Sequence, residues 1–324
     1  MTKAIRVHRY GGPEVLSWEE VSVGRPGPGE ALVRHTAVGI NFIELQHRAG
    51  HFSTPLPSGL GTEAAGLVEE IGPGVIDLSP GDRVVSCEGP LGAYSEARIV
   101  PAHRLLRLPD GVSDVQAAAA TLKGITAQYL LRRTYRVGPG DTILFHAAAG
   151  GVGSIACQWA KHLGATVIGT AGGPSKVAFA KANGCDHVID YTREDFVGRV
   201  LEITKGKKVP VVYDSVGKDT FSKSLECLAP LGMMVSFGNA SGPIDPIDLG
   251  ALAQRGSLFV TRASLSVYGA KRADLLAMAK ELFELLASST LRVEINRTYP
   301  LSEAAQAHRD LADRKTTGAI VLTV

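Results

Sequence analysis

One stretch constrains this chain more than any other: His146-Ala147-Ala148-Ala149-Gly150-Gly151-Val152-Gly153. A short apolar run, Thr142 to Phe145, leads into it. A helical pattern, Val152 to Leu163, leads out, with Ile155, Trp159, Ala160 and Leu163 at helix-face spacing. A strand that turns through glycines directly into a helix is the first half of a βαβ unit. The pattern then repeats. Thr166 to Gly169 is followed by a helix from about Ser175, and Val188-Ile189 by a helix from about Arg193; the runs Val209 to Tyr213, Met233 to Phe237 and Leu258 to Val260 come after. Strands that alternate with helices and are apolar throughout predict an α/β fold with a doubly wound parallel sheet.

In that context the glycine loop has a chemical reading. Gly150 and Gly151 let the backbone approach a pyrophosphate, and the helix opening at Val152 offers free N–H donors and partial positive charge. Alanine replaces the first glycine of the usual G-x-G-x-x-G, so the match is to a variant. Without a ligand the same residues are simply a tight strand-to-helix turn. Enzymes that bind NAD usually place an acidic residue at the end of the next strand, for the ribose hydroxyls. Here that stretch reads Gly172-Gly173-Pro174-Ser175-Lys176 and holds no carboxylate. A 2′-phosphate suits the Ser175 hydroxyl and the Lys176 cation, which points to NADPH. With no ligand, Ser175 is a helix N-cap and Lys176 a solvated cation.

The chain has 324 residues, more than one core usually holds, so two domains are expected. Up to about residue 120 it reads as an irregular β domain. It begins with a strand and a Gly11-Gly12-Pro13 turn, and Ala31 to Ile40 and Ala65 to Ile71 are strand-like. Near the other end lie amphipathic helices at about 271–288 and 302–313. A last strand, Ala319 to Thr323, is expected to return to the first domain. Cys87, Cys157, Cys185 and Cys227 form no C-x-x-C pair and read as small buried hydrophobes. With no long apolar span and no secretory pattern, a cytoplasmic location is expected. The net charge of +2 argues against a nucleic-acid surface.

The chain resembles the zinc-free quinone oxidoreductases of the medium-chain dehydrogenase/reductase superfamily. The resemblance rests on Val38 to Glu44, Gly59 to Gly66, Gly81-Asp82-Arg83-Val84, Leu122-Lys123-Gly124-Ile125-Thr126, Ala147 to Gly153, Tyr213 to Gly217 and Ser236 to Asn239. It implies a GroES-like β-rich catalytic domain (1–122 and 264–324) and a Rossmann domain (123–263), with NADPH and acceptor meeting in a cleft. It assigns cofactor contacts to Gly151, Val152, Ser175, Lys176, Tyr191, Ser215, Phe237 and Asn239, with Gly150, Gly172, Gly173 and Gly238 in the same loops. It extends them to Asn41, Tyr129 and Arg314. It also implies a homodimer, in which the last Rossmann strand, about Ser257 to Thr261, pairs with its copy across a two-fold axis.

Zinc-dependent relatives hold their catalytic metal at places occupied here by Asn41, Thr62 and Lys123, and their proton relay falls at Ile43. None of these is a usual zinc ligand or relay, so no metal is expected. His47 and His51, four apart, would share a helix face, but Gly50 weakens that helix and no carboxylate completes a site. Some relatives carry tyrosines where this chain has Gln46 and Phe52, so no role of such tyrosines transfers. The implied reaction is hydride transfer from NADPH to a quinone. Asn41 and Lys123 are the candidate catalytic residues, either stabilising charge on the acceptor or only holding the ribose. The alternatives are reduction of an enone or alkenal double bond, and a non-catalytic NADPH-binding role of the crystallin or RNA-binding kind.

Overall fold

The computed structural model describes residues 2–324. It divides into two compact units, one holding the chain up to Lys123 together with Gly269–Val324, the other Gly124–Tyr268. The divisions fall one residue and five residues beyond those expected. Lys123 therefore lies in the first unit, and the short helix Leu265–Tyr268 stays in the second.

The second unit is a six-stranded parallel sheet. Its strands are β1 (Thr142–Phe145), β2 (Thr166–Ala171), β3 (His187–Asp190), β4 (Val209–Asp214), β5 (Leu228–Ser236) and β6 (Phe259–Arg262), in the order β3-β2-β1-β4-β5-β6. This is the order of a dinucleotide-binding sheet, in which the strand sequence reverses direction beside β1. Helices α1 (Gly151–His162), α2 (Pro174–Ala182), α3 (Phe196–Ile203), α4 (Phe221–Glu226) and α5 (Leu249–Gln254) connect the strands. Leu144, Ile168, Val212 and Met234 pack against Phe196 and Val200 of α3 and Phe221 and Leu225 of α4. Their strand neighbours Ile143, Val167, Val211 and Val235 are buried as well, which is why these strands read as continuous apolar runs instead of alternating ones. β6 is an edge strand within this sheet.

The first unit is built on β-sheet. A three-stranded sheet pairs Leu16–Val21, Thr2–Val7 and Ser58–Gly59. In a seven-stranded sheet, Glu30–Ile40 is flanked by Ala64–Ile71, Ala97–Pro101 and the terminal strand Ala319–Thr323. The chain's last strand does return to its first domain: Ile320 lies opposite Ile40. Gly66 has to be glycine in this sheet, because a Cβ there would lie 2.0 Å from the Arg34 carbonyl oxygen.

Two helices of this region were not legible. Asp114–Tyr129 runs for 16 residues, and its middle, Ala117 to Thr121, is fully buried. Burial on all sides leaves no polar face and hence no helical period in the sequence. Phe42–Ala49 is a shorter helix, opened by Asn41 and ended by Gly50 at φ +83°.

Candidate functional site

The carboxyl ends of the parallel strands gather most of the expected cofactor residues. Gly150, Gly151 and Val152 follow β1; Gly172, Gly173, Ser175 and Lys176 follow β2; Tyr191 follows β3; Ser215 follows β4; and Phe237, Gly238 and Asn239 follow β5. Carboxyl ends at a reversal of strand order are where open α/β sheets bind ligands. Gly150 precedes α1 in extended conformation, and no side chain caps this helix end. The first-turn N–H groups of Gly151 and Val152 therefore face outward without intrahelical partners. Gly153 lets the helix sit close to the loop: a Cβ there would be 2.3 Å from the Ala147 carbonyl oxygen. A cradle of bare N–H donors at a helix start matches a pyrophosphate in charge and in donor sense.

Beneath the loops lies a buried polar network that the sequence did not reveal. The His146 ring is 2.9 Å from Thr170 Oγ1 through Nδ1 and 2.9 Å from Ser224 Oγ through Nε2. Ser224 donates its one hydroxyl proton to Asp214 Oδ2 (3.3 Å). It therefore accepts from Nε2–H, and Nδ1 accepts from Thr170. Burial lowers the His146 pKa, against the pull of the Asp214 charge. Asp214 also accepts the N–H groups of Val216 (2.7 Å) and Gly217 (3.1 Å) and the Thr220 hydroxyl (2.7 Å). The turn carrying Ser215 is thus pinned from below. Arg262 of β6 does the same for the Phe237 turn, donating to Ser236 Oγ (2.9 Å) and Gly238 O (2.7 Å).

At the β2 end, Gly173 is the residue preceding α2 and Pro174 opens it, so Ser175 is not the N-cap considered above. Ser175 is exposed and Lys176 half-buried in the first turn. Asp190, from the neighbouring strand, reaches this loop: its Oδ1 accepts Gly173 N–H (3.0 Å), Thr192 N–H (3.1 Å) and the Thr192 hydroxyl (2.6 Å). Three donors occupy that oxygen, so the carboxylate braces the loop. Tyr191 is exposed, and its hydroxyl lies where a Cβ on Gly172 would sit, at 2.6 Å. Tyr129 stacks on Tyr268 with ring centroids 4.7 Å apart, and burial pushes its phenol up to about 12.

In the first unit, Asn41 and Lys123 are both buried and are joined by a residue that sequence reasoning passed over. Glu63 is fully buried. Its Oε2 accepts from Asn41 Nδ2 (2.9 Å) and pairs with Lys123 Nζ (3.2 Å), and its Oε1 accepts the Leu122 N–H (2.6 Å). Glu44 Oε2 accepts the backbone N–H of Asn41 (2.5 Å), and Glu44 Oε1 is buried with no partner. Burial raises the Glu44 carboxyl to about 8, against the Asn41 N–H and the Lys123 charge. Thr62 stands apart from this cluster, donating to the Cys87 carbonyl (3.4 Å), and Ile43 is exposed.

Three remaining residues fall outside both groups. His47 and His51 do not share a helix face, because the helix stops at Ala49; the His47 ring instead packs 4.9 Å from Phe52. Arg314 is exposed at φ +57° after the helix Ala304–Ala312, in the first unit. Among the described residues, no three His, Cys, Asp or Glu side chains converge in a way that could hold a metal ion. All four cysteines are buried free thiols. No helix is long and apolar enough to cross a membrane.

Known proteins match this chain over its whole length. An alcohol dehydrogenase GroES-like domain model matches residues 27–110, and a zinc-binding dehydrogenase model matches 151–287. A quinone oxidoreductase of Pseudomonas aeruginosa is 54% identical over 323 residues, 99% of each chain. A 2-haloacrylate reductase of a Burkholderia species is 49% identical over 333 residues, again 99% of each. The structure of Escherichia coli quinone oxidoreductase complexed with NADPH superposes with a TM-score of 0.98 at 50% identity, covering 99% of this chain and 100% of that one. The fold is accordingly a GroES-like β-rich domain with a Rossmann domain, as the resemblance implies.

Proposed function

The chain belongs to the zinc-free quinone oxidoreductases of the medium-chain dehydrogenase/reductase superfamily, and from that membership we propose that it transfers hydride from NADPH to a quinone. The observation that carries this reading is the uncapped start of α1 behind Gly150, at the reversal of strand order. Bound there, the nicotinamide supplies the hydride. The N–H groups of Gly151 and Val152 bind the pyrophosphate. The turns at Gly172-Gly173, Tyr191, Ser215 and Phe237 to Asn239 shape the rest of the cradle, and Ser175 and Lys176 take the 2′-phosphate. Tyr129 and Arg314 are further cofactor contacts. On the acceptor side, Asn41 and Lys123 donate to the oxygen on which negative charge develops. Quinone reduction restores an aromatic ring and so needs no Lewis acid. Water supplies the product's second proton.

A second reading, reduction of an activated carbon–carbon double bond, is favoured by one finding: the relative that reduces 2-haloacrylate is 49% identical throughout. One experiment separates the two. Purified protein is assayed with NADPH and NADH against small quinones, enones and 2-haloacrylate, and with NADP against simple alcohols. We expect quinone turnover with NADPH, none with alcohols, and NADPH affinity about one to two decades above NADH, the worth of a charge-assisted contact of roughly 1.5–3 kcal/mol. Equal affinities sink the NADPH assignment. Good turnover of a double bond with no quinone reduced replaces the quinone reading with the second.

We also propose a homodimer closed through β6. Phe259 is 56% exposed at this sheet edge, with Val260 beside it, and the strand carries no proline or lysine to discourage pairing. An isologous copy would cover the edge. Sedimentation is expected to find twice the chain mass at micromolar concentration; monomer alone refutes the dimer.

A further inference from the structure

The Glu63 carboxylate is fully buried, and strand Glu30–Ile40 makes room for it. A Cβ on Gly39 would lie 2.3 Å from Glu63 Oε2 and 2.2 Å from the Ala118 carbonyl oxygen, so only glycine fits there. The room serves one oxygen. Oε2 receives the Asn41 amide, which follows that strand, and pairs with the Lys123 ammonium, which comes from the helix Asp114–Tyr129. The other oxygen is tied to the Leu122 N–H, one residue before Lys123. A carboxylate held on both oxygens cannot swing, and neither can the two donors it holds. Lys and Asn side chains otherwise have several rotamers, and a misplaced donor contributes little to a developing charge.

We infer that Glu63 is a positioning residue, which fixes the Lys123 ammonium and the Asn41 amide in the geometry from which they meet the acceptor. The inference rests on the acceptor-side role proposed above for these two residues. It differs from a purely structural role in one consequence: the effect of changing Glu63 must depend on Lys123 being present.

The test is a double-mutant cycle of Glu63→Gln and Lys123→Met, with kcat and KM for a small quinone, NADPH affinity by fluorescence titration, and thermal midpoints. Glu63→Gln is expected to lower kcat roughly tenfold or more, with NADPH affinity within about twofold of wild type. In the Lys123→Met background the same change is expected to cost far less, since the group it positions is gone. An equal factor in both backgrounds overturns the inference, as does wild-type kcat in Glu63→Gln. Where Glu63→Gln gives no folded protein, Glu63→Asp goes through the same cycle, with the same outcomes deciding. It keeps the charge but is one methylene too short to span both donors. Unchanged kcat in Lys123→Met overturns the acceptor-side reading together with this one, whereas impaired Lys123→Met with intact Glu63→Gln overturns the role of Glu63 alone.

Discussion

Stability is expected to peak near pH 6.5 and to decline on both sides, most steeply below about pH 4.5. Two histidines of the first unit are buried and held neutral. His35 has Nδ1 2.7 Å from the Ser95 carbonyl, and His308 lies between the Tyr94 hydroxyl (3.0 Å) and Arg48 (3.4 Å). Burial, with Arg98 beside the first and Arg48 beside the second, pushes both down to about 3 from the ordinary 6.5. Below pH 6.5 the unfolded chain takes up a proton at each that the folded chain refuses. Their contribution is thus present above 6.5 and is lost as pH falls toward 3, by about 3–4 kcal/mol each at pH 4. Glu44 acts in the opposite sense. Its folded value of about 8 lies above the ordinary 4.5, so the folded chain holds a proton the unfolded chain has released. Stability therefore declines from pH 4.5 up to 8, and Glu44 offsets about one of the two histidines in acid. Between 6.5 and 8 only Glu44 of the three titrates. Denaturant unfolding from pH 4 to 9 checks this. Glu44→Gln should flatten the alkaline limb, and His308→Gln, which can still meet the Tyr94 hydroxyl, should shallow the acid one. If both variants kept the wild-type profile, the assignment would be wrong.

Gly153→Ala is expected to cost NADPH binding on the order of a hundredfold, with overpacking of roughly 1–3 kcal/mol in stability. The added methyl would lie 2.3 Å from the Ala147 oxygen and 2.8 Å from Ala148 Cα, both backbone, which no rotamer change relieves. The loop or the start of α1 must move, and with it the Gly151 and Val152 donors. Gly138→Ala, in the loop before β1 and outside the proposed cofactor cradle, is the control: its methyl meets nothing within 4 Å. Fluorescence titration of both variants with NADPH reads the difference. Wild-type affinity in Gly153→Ala would show that the helix start does not bind the pyrophosphate.

What could be read in the sequence was whatever leaves a local trace. Each parallel strand announced itself as a short apolar run, and the glycine loop was plain because its spacing is fixed by backbone geometry over a few residues. The helix Asp114–Tyr129 was invisible for the opposite reason: burial of Ala117 to Thr121 on every side erases the alternation that marks a helix. Within the candidate site, Asn41 and Lys123 stood out because they occupy places where relatives carry metal ligands. Glu63 did not, since nothing in the sequence says that residues 41, 63 and 123 meet. The carboxylate missing after β2 was informative, but the one that braces the loop is Asp190, from the next strand. His146 and Ser224, 78 residues apart, come together only when β1 and α4 pack.

The pairing of Ile320 with Ile40 also has a consequence for the newborn chain. A ribosome delivers the strand Glu30–Ile40 first and its neighbour Ala319–Thr323 only after the whole of the second unit has been made in between. That unit is contiguous, so it has everything it needs to fold while the first waits with part of its sheet unpaired. Joining the two ends then does not require closing a floppy loop of nearly the full chain length, because a folded body already spans most of that interval and shortens the search. Truncation at the C-terminus should accordingly strike the opposite end of the sequence: losing Ala319 to Thr323 strips the early strand of a partner while leaving the contiguous unit intact.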